Sequence, residues 1–132
     1  MTVYTVALSP GTLVPMSKRS LIALSRELLD QAAGSKQGRF ARTVYGGHDR
    51  RLRQTLVALT AGSEMPDHNG PEDATLLVIT GHVTLIADGT EWVGHDGDII
   101  DIPQERHSVT AHKDSAFLLT VAVESVADDD QP

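Results

Sequence analysis

The feature that most limits the fold of this chain is a succession of short apolar segments between residues 51 and 123, each closed by turn-forming residues. Such segments, rich in Val, Ile, Leu and Thr and bounded by Gly, Pro, Asp or Ser, are typical of β-strands. Many short strands at steady spacing indicate an all-β sandwich or barrel. In chain order the segments read RLRQTLVAL, ATLLVIT, HVTLIA, EWV, DIIDI, HSVTA and SAFLLTVAV, with breaks at Gly62-Ser63, Gly81, Asp88-Gly89, Gly94, Pro103 and Lys113-Asp114.

One segment, TLLVIT at residues 75–80, is apolar on both of its alternating faces. Successive side chains of a strand point to opposite faces, so we expect one face to fill the barrel and the other to pack on a second surface. A homodimer or a helix of the same chain could supply that surface, and we predict a homodimer.

The N-terminal third differs in pattern from the rest. Strand-forming residues alternate over residues 2–8, which predicts a short first strand. Apolar residues at spacings of three and four predict one α-helix over residues 17–33, with Ser17 as its N-cap and Gly34 just past its end. Residues 34–39 form a small polar linker.

These patterns divide the chain into three parts. At 132 residues the chain is long enough for one domain with a substantial core. We predict that the strand, helix and linker of residues 1–39 pack on a β-barrel of residues 40–124. Residues 125–132 form an acidic tail with too little apolar surface to order itself.

Composition excludes several classes of function. The net charge of -7 argues against a nucleic-acid partner, because neutralising phosphates needs an excess of Lys and Arg. The absence of cysteine excludes disulfides, a thiolate zinc site and a cysteine nucleophile. With no signal-like N-terminus and no run of about 18 apolar residues, we expect no membrane association and a cytoplasmic location by default.

The segment EMPDHNGPEDATLLVITG, residues 64–81, is similar to the first motif of the cupins, small β-barrel proteins. That motif reads His-x-His, three or four residues, Glu, six residues, Gly. Anchored on Gly81, it places the first histidine at His68, the second at Gly70 and the glutamate at Ala74. Only the first of these three ligands is present.

The segment GDIIDIPQERH, residues 97–107, resembles the second cupin motif, in which Gly, five residues and Pro-x-Gly precede His and, later, Asn. Gly97 and Pro103 match it. Glu105 stands in the place of the second glycine, His107 comes one residue early, and the asparagine is not matched. The resemblance covers roughly the last two thirds of the chain.

The resemblance implies a cupin double-stranded β-helix, or jelly-roll barrel, and a cup that opens toward His68 and His107. A cupin metal is usually held by three imidazoles and a carboxylate, which suits a divalent ion such as iron, manganese, nickel, zinc or copper. Here two imidazoles remain, and a catalytic zinc ordinarily keeps three protein ligands. Further ligands, if a metal binds, would come from nearby side chains: Glu64, Asp67, Glu72, Asp73 and His48.

Each histidine also has a structural interpretation. His68 and His107 could be hydrogen-bonded, half-buried imidazoles without a further role. We interpret His82, His95 and His112 as surface residues, because each lies beside a turn.

Three functions are compatible with this sequence. The first is binding of a small organic ligand in the cup by His68, His107 and Gln54, with Gly70 and Ala74 enlarging the cavity. The second is a metal-dependent dioxygenase, isomerase or lyase that uses the two histidines with carboxylate or water ligands; a metal-free acid–base enzyme is a variant of it. The third is a structural partner whose barrel mediates assembly. The two missing ligands favour the first.

Overall fold

The structure is a computed structural model that describes residues 7–9, 12–13, 18–70 and 72–124. Most of the predicted first strand falls outside these residues, but its end is visible as β1, Ala7–Ser9, which pairs antiparallel with β2, Thr12–Leu13. The predicted acidic tail, residues 125–132, also lies outside them.

The predicted helix is present as α1, Leu21–Ala33. It begins later than predicted because Ser20 is its N-cap: the Ser20 side chain accepts a hydrogen bond of 3.1 Å from the backbone N–H of Ala23. This bond satisfies one of the donors that the first helical turn leaves without a partner. The predicted cap, Ser17, lies outside the described residues. Gly34 follows the helix as predicted and donates its N–H to the last turn.

The rest of the secondary structure in the described residues is strand, which confirms the all-β prediction. Seven strands, β3 to β9, form an antiparallel sheet in the order β3-β4-β9-β6-β7, with β5 paired to β9 and β8 paired to β6. Their bounds are Arg39–Tyr45, Leu52–Leu59, Glu64–His68, Asp73–Ala87, Thr90–His95, Ile99–Asp101 and His107–Ala122.

Two predicted turns, at Gly81 and at Lys113-Asp114, are wrong as chain reversals. They are bends inside the long strands β6 and β9, which pair with each other from end to end with register shifts around Gly81. Gly81 has φ +118°, and a Cβ at this position would overlap the Ser115 hydroxyl. The residues at these positions therefore bend the β6–β9 strand pair, and neither strand ends there.

The bend divides the sheet into two halves that face each other. The first half of β6 and the second half of β9 lie with β3, β4 and β8; we call this half the helix-side sheet. The remaining halves of β6 and β9 lie with β5 and β7 and form the far sheet. Buried side chains from both sheets, such as Val57, Leu76, Val83, Leu85 and Phe117, meet between them as the barrel core.

Helix α1 covers the outside of the helix-side sheet. Leu28 and Ala32 are fully buried there against outward-facing residues of β4 and β6. The segment TLLVIT accordingly buries Leu76 and Val78 in the barrel, while Leu77 packs under the helix. The second surface that the sequence required is thus supplied by the chain itself, and the homodimer stays a prediction.

No helix within the described ranges is long and apolar enough to cross a bilayer.

Candidate functional site

A cavity of about 80 Å³ opens between the two sheets at the end of the barrel away from the bend at Gly81. We call it the cup cavity. Most of its surface is apolar, and its polar groups come from β5, the loop that follows it, and the start of β9. The lining residues are His68, Asn69, Gly70, Glu72, Ala74, Ile102, His107, Leu119 and Val121.

The two motif histidines meet in this cavity, as the resemblance implied. His68 and His107 are register partners in β5 and β9, and their ring centroids lie 4.2 Å apart with an interplanar angle of 68°. His107 is 3% exposed, whereas His68 is half-buried. Inward-facing residues alternate along β9, so His107 shares its side of the strand with the core residue Val109.

Each ring is oriented by a hydrogen bond to a backbone carbonyl. Nδ1 of His68 lies 3.0 Å from the carbonyl oxygen of Pro66, and Nδ1 of His107 lies 2.8 Å from that of Glu105. A carbonyl oxygen only accepts, so each Nδ1 carries the proton and donates it. In the neutral ring Nε2 then keeps its lone pair, which is free to accept a hydrogen bond or to bind a metal.

The Nε2 atoms are accessible from the cavity. Neither is hydrogen-bonded within the part of the chain that the structure describes, and no buried side-chain nitrogen or oxygen of that part lacks a partner. An unpaired Nε2 must therefore be in contact with solvent. Because His107 is otherwise buried, the opening that reaches its Nε2 is the cup cavity.

Gly70, which stands where the motif has its second histidine, has no room for a side chain. A Cβ at this position would lie 2.8 Å from Cε1 of His107, 3.0 Å from the carbonyl oxygen of Pro103 and 3.1 Å from that of Glu105. The expectation that Gly70 enlarges the cup is therefore wrong, because the His107 ring and the preceding loop occupy that space. A histidine would fit here only if both moved.

Ala74, at the glutamate position of the motif, does face the cup cavity and packs against the barrel core. A methyl group there offers no ligand atom. The carboxylate that does line the cavity is Glu72, two residues earlier and in the loop before β6.

The other predicted metal ligands lie elsewhere. Asp73 starts β6 on the outer face, where it accepts a hydrogen bond from Gln104. Glu64 is exposed, and Asp67 pairs with Arg106 at 3.6 Å on the surface. His48 lies in the loop before β4, where its carbonyl accepts from an arginine.

Gln54 also does not reach the cup cavity. On β4, Val57 and Leu59 point into the barrel, so Gln54 shares the outer face with Leu56 and Ala58. Its side-chain amide donates to the Thr120 hydroxyl at 3.1 Å. QTLVAL is apolar on both faces, so the sequence does not determine which face of this strand points inward.

The residues present do not fit a resident metal of the cupin type. Within the described ranges, no group of three or more His, Asp or Glu side chains is placed to hold a metal ion. Two imidazoles converge on the cavity, and the position of a third is filled by one of those two rings.

A second group of histidines lies outside the barrel on the far sheet. His82 on β6 stacks on His95 of β7, with centroids 4.3 Å apart, and contacts His112 of β9 at 4.4 Å. In the sequence these three histidines are predicted only to be surface residues. Only the strand pairing, which places His95 opposite His82, brings them together.

Comparison with known proteins establishes the fold. No protein-family profile matches the chain, and no curated protein matches it. A conserved protein of unknown function from Streptococcus pyogenes superposes with a TM-score of 0.62 at 22% identity, covering 70% of this chain and 80% of that one. A cupin 2 conserved barrel domain protein from Salinispora arenicola gives a TM-score of 0.60 at 17% identity, covering 71% of this chain and 83% of that one.

A larger protein contains the same architecture as part of its chain. The salicylate 1,2-dioxygenase of Pseudaminobacter salicylatoxidans superposes with a TM-score of 0.64 at 16% identity, covering 76% of this chain and 33% of that one. At these identities the likeness concerns the fold alone. The chain has the cupin fold, which confirms the expectation drawn from the two motifs.

Proposed function

We propose that this protein binds a small organic ligand in the cup cavity, and that His68 and His107 accept hydrogen bonds from it. One observation carries the proposal: two imidazoles are held by their Nδ1–H groups so that both Nε2 lone pairs are available at a cavity that is otherwise largely apolar. A small number of oriented polar groups in an apolar pocket is the usual composition of a small-molecule site.

The cavity sets the size and chemistry of the ligand. At about 80 Å³ it is smaller than the ~150 Å³ apolar cavity that admits benzene. The ligand, or the part of it that enters, therefore has a few heavy atoms. It carries a hydroxyl, acid or amide proton toward the histidines and an apolar body toward Ile102, Leu119 and Val121.

Binding can be tested with small probes of this chemistry. We expect propan-1-ol and propionamide to shift the amide NMR signals of residues around the cavity, and propane-1-thiol, a weaker donor of similar shape, to shift them less. His107→Ala and His68→Ala should weaken binding of the two stronger donors, while His48→Ala, which changes a histidine outside the cavity, should not. Equal shifts in all three variants would contradict the proposal.

A metal-dependent enzyme is the second candidate. It is favoured by the two oriented Nε2 atoms, because metal-binding histidines commonly donate the other ring N–H to a carbonyl. The incomplete ligand set argues against it. Elemental analysis of protein purified without an affinity tag or chelator separates the two: stoichiometric iron, manganese, nickel, zinc or copper that is lost in both His68→Ala and His107→Ala would favour the enzyme.

A further inference from the structure

The histidine cluster on the far sheet lies where the bend of β6 meets the end of the edge strand β7. His82 follows directly on the bend of β6 at Gly81, and its backbone N–H donates to the buried Ser115 hydroxyl at 2.9 Å. His95 is the last residue of β7, an edge strand whose ladder of register partners is entirely on β6. The His82–His95 pair therefore closes the β6–β7 hairpin at the end away from its turn.

Backbone contacts next to the cluster join β7 to the barrel wall. Beyond His95, the turn at Gly97 and Asp98 exchanges two hydrogen bonds with Val78 of β6, of 2.7 and 2.8 Å. Val78 is fully buried in the core. Loosening the end of β7 would therefore disturb a contact of the core itself.

The groups that face His82 are a lysine, which is positively charged, and two histidines, which become positively charged on protonation. His95 faces it from β7, and His112 and Lys113 face it from β9. Burial by its neighbours and the charges of His95, His112 and Lys113 lower the pKa of His82.

Two carboxylates lie beside the cluster, and backbone N–H groups bind both of them. Asp96 accepts the N–H of Gly81, and Asp98 accepts the N–H of His95 at 2.8 Å, with its oxygen 4.0 Å from Nδ1 of that ring. His112 is tied to the Thr84 hydroxyl at 2.6 Å. Neutral rings can stack in this arrangement. Protonation of His82 together with His95 or His112 would instead place two positive rings at centroid distances of 4.3 or 4.4 Å, where like charges repel.

We propose that His82, His95 and His112 form a proton-sensitive clasp, which holds the end of β7 to the bend of the barrel in neutral solution and releases it on acidification. Because the pKa of His82 is lower in the folded chain, the unfolded chain binds the proton first as the pH falls. Stability contributed by the neutral His82 ring is fully present above the unfolded-state pKa of about 6.5 and is lost as the pH falls toward the lower pKa of the folded chain.

The test compares the pH dependence of unfolding in matched variants. Urea midpoints of the wild-type chain, His82→Gln and His48→Gln are measured from pH 8 to pH 5; His48 is a histidine outside the cluster. We expect the midpoint to fall less on acidification in His82→Gln than in the wild type, and His48→Gln to follow the wild type. Carboxylates that titrate in the same range are common to all three chains and cancel in the difference.

Two further measurements keep the proposal refutable. NMR titration should show the pKa of His82 below the ordinary histidine value of about 6.5, and the amides of β7 should lose hydrogen-exchange protection as the cluster takes up protons. If His82→Gln does not fold at pH 8, the exposed His95→Gln replaces it in the same comparison. Parallel midpoint curves for the cluster variant and the wild type, or a pKa of His82 at or above the ordinary histidine value, would overturn the clasp.

Discussion

The Gly70→Ala variant tests the packing argument on which the two-histidine site depends. The new Cβ would lie 2.8 Å from Cε1 of His107, closer than side-chain carbons approach in folded proteins. The ring cannot simply rotate away, because its Nδ1 is bonded to the Glu105 carbonyl and the residue is 3% exposed. The two carbonyl oxygens at 3.0 and 3.1 Å belong to backbone and would also have to shift.

The size of the effect follows from two opposing contributions. Forcing one extra methyl group into a packed site typically costs ~1–3 kcal/mol. Replacing glycine where its backbone conformation suits alanine stabilises by ~0.4–1 kcal/mol through the unfolded chain, and Gly70 is not in the left-handed region. We expect a net loss of about 1–2 kcal/mol, which corresponds to a fall in Tm of roughly 3–6 °C for a domain of this size.

Urea unfolding of Gly70→Ala beside Gly47→Ala provides the measurement. Gly47 also lies outside the left-handed region, and a Cβ there would meet its nearest neighbour at an ordinary 3.6 Å. The control should therefore be as stable as the wild type or slightly more so. If the two variants have the same stability, position 70 has free space, and the reason given for the absence of a third imidazole is refuted.

Two other substitutions test the fold around the site. Ser115→Ala should destabilise the chain by about 1–3 kcal/mol in urea unfolding. The substitution removes a buried hydroxyl that accepts the N–H of His82 and donates to the Lys113 carbonyl. An unchanged midpoint would show that the bend does not need this hydroxyl. Leu28→Ala should cost about 2–5 kcal/mol and keep a single unfolding transition, because this fully buried leucine joins α1 to the barrel. A separate, earlier transition of the helix would contradict that coupling.

The sequence predicted the barrel well because its strands carry two independent signals, apolar segments and turn residues. The turn signals at Gly81 and Lys113-Asp114 mark real irregularities of the backbone. They predict chain reversals, however, and the structure has bends within β6 and β9 at these positions. A glycine with positive φ permits a reversal or a bulge, and the choice between them depends on the partner strand. Here β6 and β9 each continue beyond the bend because each is the other's partner on both sides of it.

For the site, the sequence predicted the histidines that belong to a motif with fixed spacing. It did not predict the contacts that depend on which strands pair and in which register. His68 and His107 were found through two motifs that lie far apart in the chain. The face on which Gln54 lies is not predictable, because an apolar strand does not reveal which of its faces is inward. The contact of His82 with His95 depends on the register of a hairpin, which a lone histidine beside a turn does not encode.

The two motif ligands that this chain lacks are absent for different physical reasons, and the difference bears on function. At position 74 the side chain faces the cavity, so a ligand is missing only because alanine carries none. At position 70 the space is occupied by the ring of His107, whose own orientation is fixed by the Glu105 carbonyl two residues before it. The second-motif histidine, one residue early in the sequence, thus fills the place that another imidazole would need. A site built in this way is closed to a third imidazole by its packing, and its two Nε2 atoms are left to interact with whatever enters the cup cavity.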